Sequence, residues 1–198
     1  MKLEPNVSVT LENSRVQLIP LSMEYLDDLY AIASDNSLWA WGYQAYENKD
    51  QFRQYIFQAL QEYHAKASIP FVVIDKASGK VAGSTRYASI VNQHKRVEIG
   101  YTWIGKAFQG TGLNKAMKYE MLNYAFDIMG MNRVELKTDV LNVQSRKAIK
   151  KLGAKEEGIL KAHMVCGTGR VRDTVYYSII QSDWAKIKET VFSEFVHP

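Results

Sequence analysis

The sequence predicts an α+β (mixed α/β) fold: a central mixed, mostly antiparallel sheet with helices on both faces. Three observations predict it. The spacing of apolar residues changes from helical to alternating and back along the chain. Two short polar turns, Lys76–Lys80 and Asn92–Lys95, separate strand-like runs in the middle of the sequence. The second half then alternates strand-like and helix-like segments.

Taken in order, Arg15 to Ile19 (RVQLI) alternates polar and apolar and reads as a strand stopped by Pro20. Leu21, Tyr25, Leu26, Leu29 and Ile32 recur at helical spacing, so a helix is expected over Leu21 to Ala33, starting near Ser22. Ser34 to Tyr46 reads as a loop carrying Trp39, Trp41, Tyr43 and Tyr46. These four aromatics either line an acceptor cleft or anchor a long loop. Asn48 with Gln51 three residues later resembles a capping box, opening an aromatic-rich helix to about Lys66. Phe71 to Asp75, Val81 to Tyr87 and Val97 to Ile104 read as three meandering strands. Gly110 to Met129 reads as the longest amphipathic helix, its buried face marked by Leu113, Met117, Met121, Tyr124 and Ile128 and its end by Gly130. A strand at Arg133 to Asp139, a short helix from Ser145 to Leu152, strands near Gly158 to Val165 and Thr174 to Ile180, and a helix from about Ser182 complete the chain.

Length and composition bound the function. With 198 residues and 22.6 kDa the chain makes one ordinary domain, and no repeat, low-complexity tract or linker divides it. Apolar residues at 46% and charged residues at 23% are the balance of a globular protein. No apolar run reaches the length of a membrane helix, and the start (MKLEP) lacks a signal-peptide core, so a cytoplasmic protein is expected. The single cysteine, Cys166, cannot pair internally, and no Cys/His spacing indicates a metal site, so no metal is expected. A net charge of +4 and a pI near 9.0 suit an anionic small ligand. They are too weak to indicate nucleic acid, and the most basic helix, Arg146 to Lys151, has no interleaved aromatic. No membrane or nucleic-acid partner is expected.

The segment from Glu98 to Ser145 carries the chemistry. There Gln109-Gly110-Thr111-Gly112-Leu113 sits between a strand and a long helix. Glycine lets a ligand approach the backbone closely, and the first N–H groups of a helix point outward at its positive end. That pattern fits a phosphate or pyrophosphate, although a ligand-free flexible helix start has the same appearance. The chain lacks the Gly-x-x-x-x-Gly-Lys-Ser/Thr loop of nucleotide triphosphatases and the first-strand Gly-x-Gly-x-x-Gly of nicotinamide enzymes.

Two stretches carry a family resemblance: EIGYTWIGKAFQGTGLNKA (Glu98 to Ala116) and NRVELKTDVLNVQSRKAIKKLGAKEEG (Asn132 to Gly158). They resemble the GNAT superfamily of N-acetyltransferases, and most of all the branch of ribosomal-protein N-terminal acetyltransferases. Gln109 to Leu113 match five of the six positions of the family's Gln/Arg-x-x-Gly-x-Gly/Ala loop, with Asn114 in place of a small residue. Asn142 and Ser145 match its Asn-x-x-Ser motif, and Lys151-Leu152-Gly153-Ala154 its Lys/Arg-Leu-Gly-Phe, with Ala154 for the aromatic. The resemblance covers roughly residues 8–185, leaving 186–198 as the end of the C-terminal helix and a tail.

The resemblance implies direct acetyl transfer from acetyl-CoA to an amine, without a metal. It also implies that strands Val97–Ile104 and Arg133–Asp139 are parallel and splay apart around the pantetheine arm. Backbone groups of Thr102, Trp103 and Ile104 would hold that arm, and Gln109, Gly110, Thr111, Gly112, Leu113 and Asn114 would cradle the pyrophosphate. Asn142 would bond the cofactor or form a turn; Ser145 would face the sulfur or cap its helix. For the base, Glu98 alternates away from Val97, Ile99 and Tyr101 and could act through a water, or it is an ordinary surface or ion-paired glutamate. His163 is the other candidate, because the strand Leu160 to Val165 has no carboxylate. Tyr176 or Tyr177 would face the thioester. The expected acceptor is an amine, possibly a protein N-terminus. The alternatives are a small amine (polyamine, amino acid or antibiotic) or an acyl-CoA binder that does not catalyse. Monomer and homodimer both remain open.

Overall fold

The computed structural model describes residues 9–41 and 45–196; Tyr43 of the aromatic loop lies outside them. The strands are β1 (Leu11–Glu12), β2 (Val16–Pro20), β3 (Ile69–Asp75), β4 (Lys80–Val91), β5 (Arg96–Ile104), β6 (Arg133–Asp139), β7 (Lys155–Val165) and β8 (Val171–Ile180). The helices are α1 (Leu26–Ala33), α2 (Lys49–His64), α3 (Leu113–Asn123), α4 (Val143–Lys151), α5 (Gln181–Val191) and α6 (Ser193–Val196). The strands form one sheet in the order β1-β2-β3-β4-β5-β6-β8-β7. Every neighbouring pair is antiparallel except β5 and β6, which run parallel. The mixed, mostly antiparallel sheet predicted from the sequence is therefore present.

Both faces of the first half of the sheet are covered, which accounts for the unbroken apolar run Phe71 to Ile74 in β3. In β3, Phe71 and Val73 enter one core with Leu18, Val97, Leu113, Met117, Val134, Val175 and Trp184. Val72, between them, points the other way into a second core with Leu29, Phe52, Ile56 and Trp103, built on α1 and α2. Full burial of a Phe or Ile side chain contributes about 1.5–3 kcal/mol, so these two layers hold the sheet between them.

Several element boundaries differ from the sequence reading, each for a local reason. The helix expected over Leu21 to Ala33 begins as a 3₁₀ turn at Met23–Tyr25, and only Leu26–Ala33 is α-helical. Ser22 makes no side-chain cap bond. The capping box holds at α2: Asn48 Oδ1 accepts the Gln51 N–H at 2.9 Å. The return bond comes from Glu47, whose N–H donates to Gln51 Oε1 at 3.1 Å. Gly110 and Gly112 lie outside α3, in left-handed conformations at φ 75° and 87°. The helix therefore starts at Leu113. A π-helical turn at Tyr124–Ile128 follows α3 and adds a residue to the repeat. That shift buries Ala125 and Phe126 and leaves Ile128 47% exposed, against the expected buried face. In α4 the cap is Asn142, whose Oδ1 accepts the Ser145 N–H at 2.9 Å, so Ser145 is not the N-cap.

The backbone of β4 packs against β5 with no room to spare at one point. A Cβ on Gly83 would lie 2.1 Å from the Trp103 carbonyl oxygen. Replacing Gly83 with Ala is expected to destabilise the fold by about 3 kcal/mol, because neither backbone can withdraw from a paired sheet. Urea unfolding of the variant checks this, with the change read from the midpoint.

Candidate functional site

Parallel pairing between β5 and β6 lasts three residues: Arg96 with Arg133, Val97 with Val134, and Glu98 with Glu135. Beyond that point β6 continues its ladder with β8 as far as Asp139, while β5 stays with β4. The two strands part between their onward partners and leave a fork. The β4–β5 register also shifts between Ser84 and Arg86, and Tyr101 takes φ 50° there. This bulge inverts the side-chain parity of β5. Thr102 consequently faces α3, while Trp103 packs into the α1/α2 core and Ile104 into the main core. The three side chains are thus turned away from the fork's edge, which leaves their backbone beside it.

The glycine loop stands at the end of β5. Gln109 Nε2 donates to the Ile104 carbonyl at 2.9 Å, and Thr111 Oγ1 to the Phe108 carbonyl at 2.8 Å. These bonds fix the loop against the strand. Cβ atoms built on Gly110 and Gly112 would meet nothing within 4 Å, so both glycines border open space. Leu113 is fully buried and anchors the start of α3, with Asn114 half-buried beside it. The first N–H groups of this eleven-residue helix form the donor end that suits a phosphate.

At the fork lies Glu98, 7% exposed. Its Oε2 pairs with Lys137 Nζ at 2.7 Å and accepts from Ser89 Oγ at 3.3 Å. Gly100 leaves space for this carboxylate: a Cβ there would lie 2.7 Å from Glu98 Oε1. Lys137 in turn sits 5.4 Å from the centre of the Tyr176 ring, and that ring meets His163 edge-on at 5.8 Å. Glu98, Lys137, Tyr176 and His163 therefore form a row across one face of the sheet. Both candidate bases belong to this row, Glu98 buried at the fork and His163 exposed on β7. Tyr177 faces the opposite way, fully buried, with its hydroxyl accepting from Arg146 Nε and donating to Glu156 Oε2, each at 3.2 Å. Tyr176 is the late-strand tyrosine on the Glu98 face.

The remaining sequence candidates separate. Ser145 stands half-exposed in the first turn of α4, and Asn142 Oδ1 is occupied by capping it. In the basic helix, Arg146 and Lys150 are both paired with Glu156. Trp39 and Tyr46 pack on Trp103 and Phe52 as loop anchors, and burial pushes the Tyr46 hydroxyl above its usual range. Trp41 is exposed, with the Arg170 guanidinium 5.9 Å from its ring centre. Cys166 is buried, with an Arg170 nitrogen 3.6 Å from its sulfur. Among the described residues no cluster of His, Cys, Asp and Glu is arranged to hold a metal ion. No described helix is long and apolar enough to cross a membrane.

Two buried cations escaped the sequence reading. Arg86, 2% exposed, lies between the rings of Tyr101 (4.1 Å) and Tyr55 (5.2 Å) and pairs with Glu62 at 3.0 Å. Among the described residues its Nε has no hydrogen-bond partner. Lys118, 5% exposed, donates from Nζ to Thr102 Oγ1 at 2.7 Å. Burial lowers the pKa of this amine to about 7. The available signal was position: each is a lone cation within a run that is otherwise small or apolar, or next to a residue marking a buried face.

A forked sheet, a glycine loop at a helix start and a carboxylate at the fork define the class that the sequence resembles, the N-acetyltransferases built on this sheet. Comparison with known proteins agrees. The family described as acetyltransferase (GNAT) domain matches residues 15–155, and the chain belongs to that family. YdaF of Bacillus subtilis strain 168, whose name provisionally describes a ribosomal N-acetyltransferase, is 32% identical over 106 residues. That match covers 54% of this chain and 57% of YdaF, little more than half of the relative's length. YoaA of the same organism, named as an uncharacterized N-acetyltransferase, is 25% identical over 176 residues, covering 86% of this chain and 96% of YoaA. A solved structure of a GCN5-related N-acetyltransferase from Brucella melitensis superposes with a TM-score of 0.87 at 28% identity. It covers 96% of this chain and 86% of its own.

Lys118 gives the fold a measurable pH dependence. An unfolded lysine titrates near 10.4, far above the folded value of about 7. Between those limits the unfolded chain binds more protons, so this residue makes stability rise with pH and lowers it as pH falls toward 7. Lys118→Met is expected to stabilise the protein, with a larger gain at pH 7 than at pH 10. Urea midpoints of both proteins across that range check the sign.

Proposed function

We infer that this protein transfers the acetyl group of acetyl-CoA to a primary amine by direct attack, and that its acceptor is a protein N-terminal α-amine. The observation that carries the reading is the fork: β5 and β6 lose their pairing beside a glycine loop and a buried carboxylate. The acceptor class rests on the branch resemblance and on the name of YdaF, to which the chain is similar.

In this reading the N–H groups of Gln109 to Asn114 hold the pyrophosphate, and the backbone of Thr102, Trp103 and Ile104 lines the pantetheine. When bound, acetyl-CoA supplies an activated acetyl group. A strand N–H beside the fork donates to the developing oxyanion. Glu98 takes the proton from the incoming ammonium through a water, since a protonated amine has no lone pair to attack with. The Glu98–Lys137 pair holds the carboxylate in place at the fork. His163 lies at the exposed end of the same row. Ser145, released from capping by Asn142, is assigned to the sulfur side.

Release of free CoA from acetyl-CoA across a panel of amines tests this. The panel comprises short peptides with free N-termini, polyamines, amino acids and aminoglycosides. Turnover confined to peptides is expected; turnover with a small amine replaces the acceptor, and cofactor binding without any turnover indicates a non-catalytic acyl-CoA binder. Glu98→Gln is expected to lower kcat about 100-fold with little change in acetyl-CoA affinity, whereas His163→Gln retains most activity. A reversed order makes His163 the base. Gly112→Trp is expected to abolish acetyl-CoA binding, and retained affinity would sink the pyrophosphate assignment.

A further inference from the structure

One buried amine has no task in the mechanism above. Lys118 lies five residues into α3, about 7.5 Å along the helix axis from its first residue at 1.5 Å per residue. Its Nζ is bonded to Thr102 Oγ1, on the stretch of β5 that has parted from β6. Lys118 therefore joins the helix of the glycine loop to the wall of the fork.

Among the described residues, no charged partner of this amine is found. β4 brings Thr85, whose Oγ1 lies 2.8 Å from Thr102 Oγ1. The same helix brings Met121, whose sulfur accepts from Thr85. Tyr87 of β4 donates to the Met121 carbonyl. The charged neighbours on α3 are engaged elsewhere: Lys115 pairs with Glu194, and Glu120 accepts from Asn13. Burial alone accounts for the lowered pKa, and no charged partner contributes.

A buried amine without a counter-ion stays neutral until a negative charge arrives, because desolvation penalises its charged form and a nearby anion favours it. We propose that Lys118 is a proton-linked positioning residue of the cofactor site: it takes up a proton when acetyl-CoA settles on the glycine loop, and its ammonium then holds Thr102 and the wall of the fork in place. This inference rests on the reading that the loop and fork bind acetyl-CoA. The proton comes from solvent and is returned when the cofactor leaves. Affinity for acetyl-CoA consequently falls as pH rises above 7, approaching tenfold per pH unit for one linked proton.

Calorimetric titration of the whole protein with acetyl-CoA at pH 8, in two buffers of different ionisation enthalpy, tests the proposal. At that pH about nine-tenths of amines titrating near 7 are neutral, whereas a phosphate monoester is already deprotonated. The wild type is expected to take up between about half and one proton per cofactor bound. Lys118→Met and Lys118→Gln are expected to take up less by that amount and to lose the steep fall in affinity between pH 8 and 9. Other groups that titrate in this range are common to all three proteins and cancel in the comparison. Binding by the wild type with the same proton uptake as both variants overturns the proposal and leaves the cofactor reading intact. Absence of binding by the wild type overturns both.

Discussion

The constraint on which the site depends is the early end of pairing between β5 and β6. Three residue pairs hold these parallel strands together, after which each follows a different neighbour. A strand edge left open inside a sheet is costly, since its backbone N–H and C=O groups must find other partners. The fold keeps this opening because both sides are held from behind. β4 pairs with β5 over most of its length, β8 pairs with β6 across all seven of its residues, and α3 spans the face behind them. The bulge at Tyr101 completes the arrangement by turning Thr102 toward α3 and Trp103 toward α1 and α2. Where two strands part, their facing backbone edges suit a ligand that carries its own amides, and pantetheine has that chemistry.

Charge is distributed to match. The polar row Glu98, Lys137, Tyr176 and His163 occupies the sheet face left uncovered where α1 and α2 end. On the other face lies an amine held by a hydroxyl, Lys118 on Thr102. The acceptor's proton and the cofactor's negative charge are thus assigned to opposite faces of one opening, which separates the two electrostatic demands of the proposed reaction. Arg86 adds a further fixed charge behind Tyr101. Buried between two rings and paired with Glu62, it stiffens the bulge from below.

Much of this was legible in the sequence where local chemistry dominates. The limits of β6 follow from alternation in RVELKTD, and the capping bonds of Asn48 follow from side-chain type and spacing. The glycine loop was legible for the same reason, since left-handed conformations at Gly110 and Gly112 are a property of those residues. Alternation also placed Glu98 off the core face of β5. What stayed hidden depends on events between distant segments. The π-helical turn after α3 shifted Ile128 to the surface, and nothing in the local pattern announces an extra residue in the repeat. The cap of α4 fell to Asn142 because the helix begins two residues earlier than Ser145 implies. The orientation of Tyr176 needed the register of β8 against β6, which pairs it with Lys137.

Lys118 shows why a buried charge is hard to see in one sequence and informative in a structure. In AMKYEML it is one lysine among several on a long helix, and periodicity places it only one position from the buried mark at Met117. The fold decides its character by setting β5 across it and offering a single hydroxyl as partner. An apolar residue would fill this space without the cost of burying an amine, so packing does not explain the lysine. A group that is unfavourable in the free protein and becomes favourable beside an anion stores part of its interaction energy for the bound state. That asymmetry is what the proposed link between the amine and the ligand of the fork draws on, and its cost in the free protein is the pH-dependent loss of stability expected of Lys118.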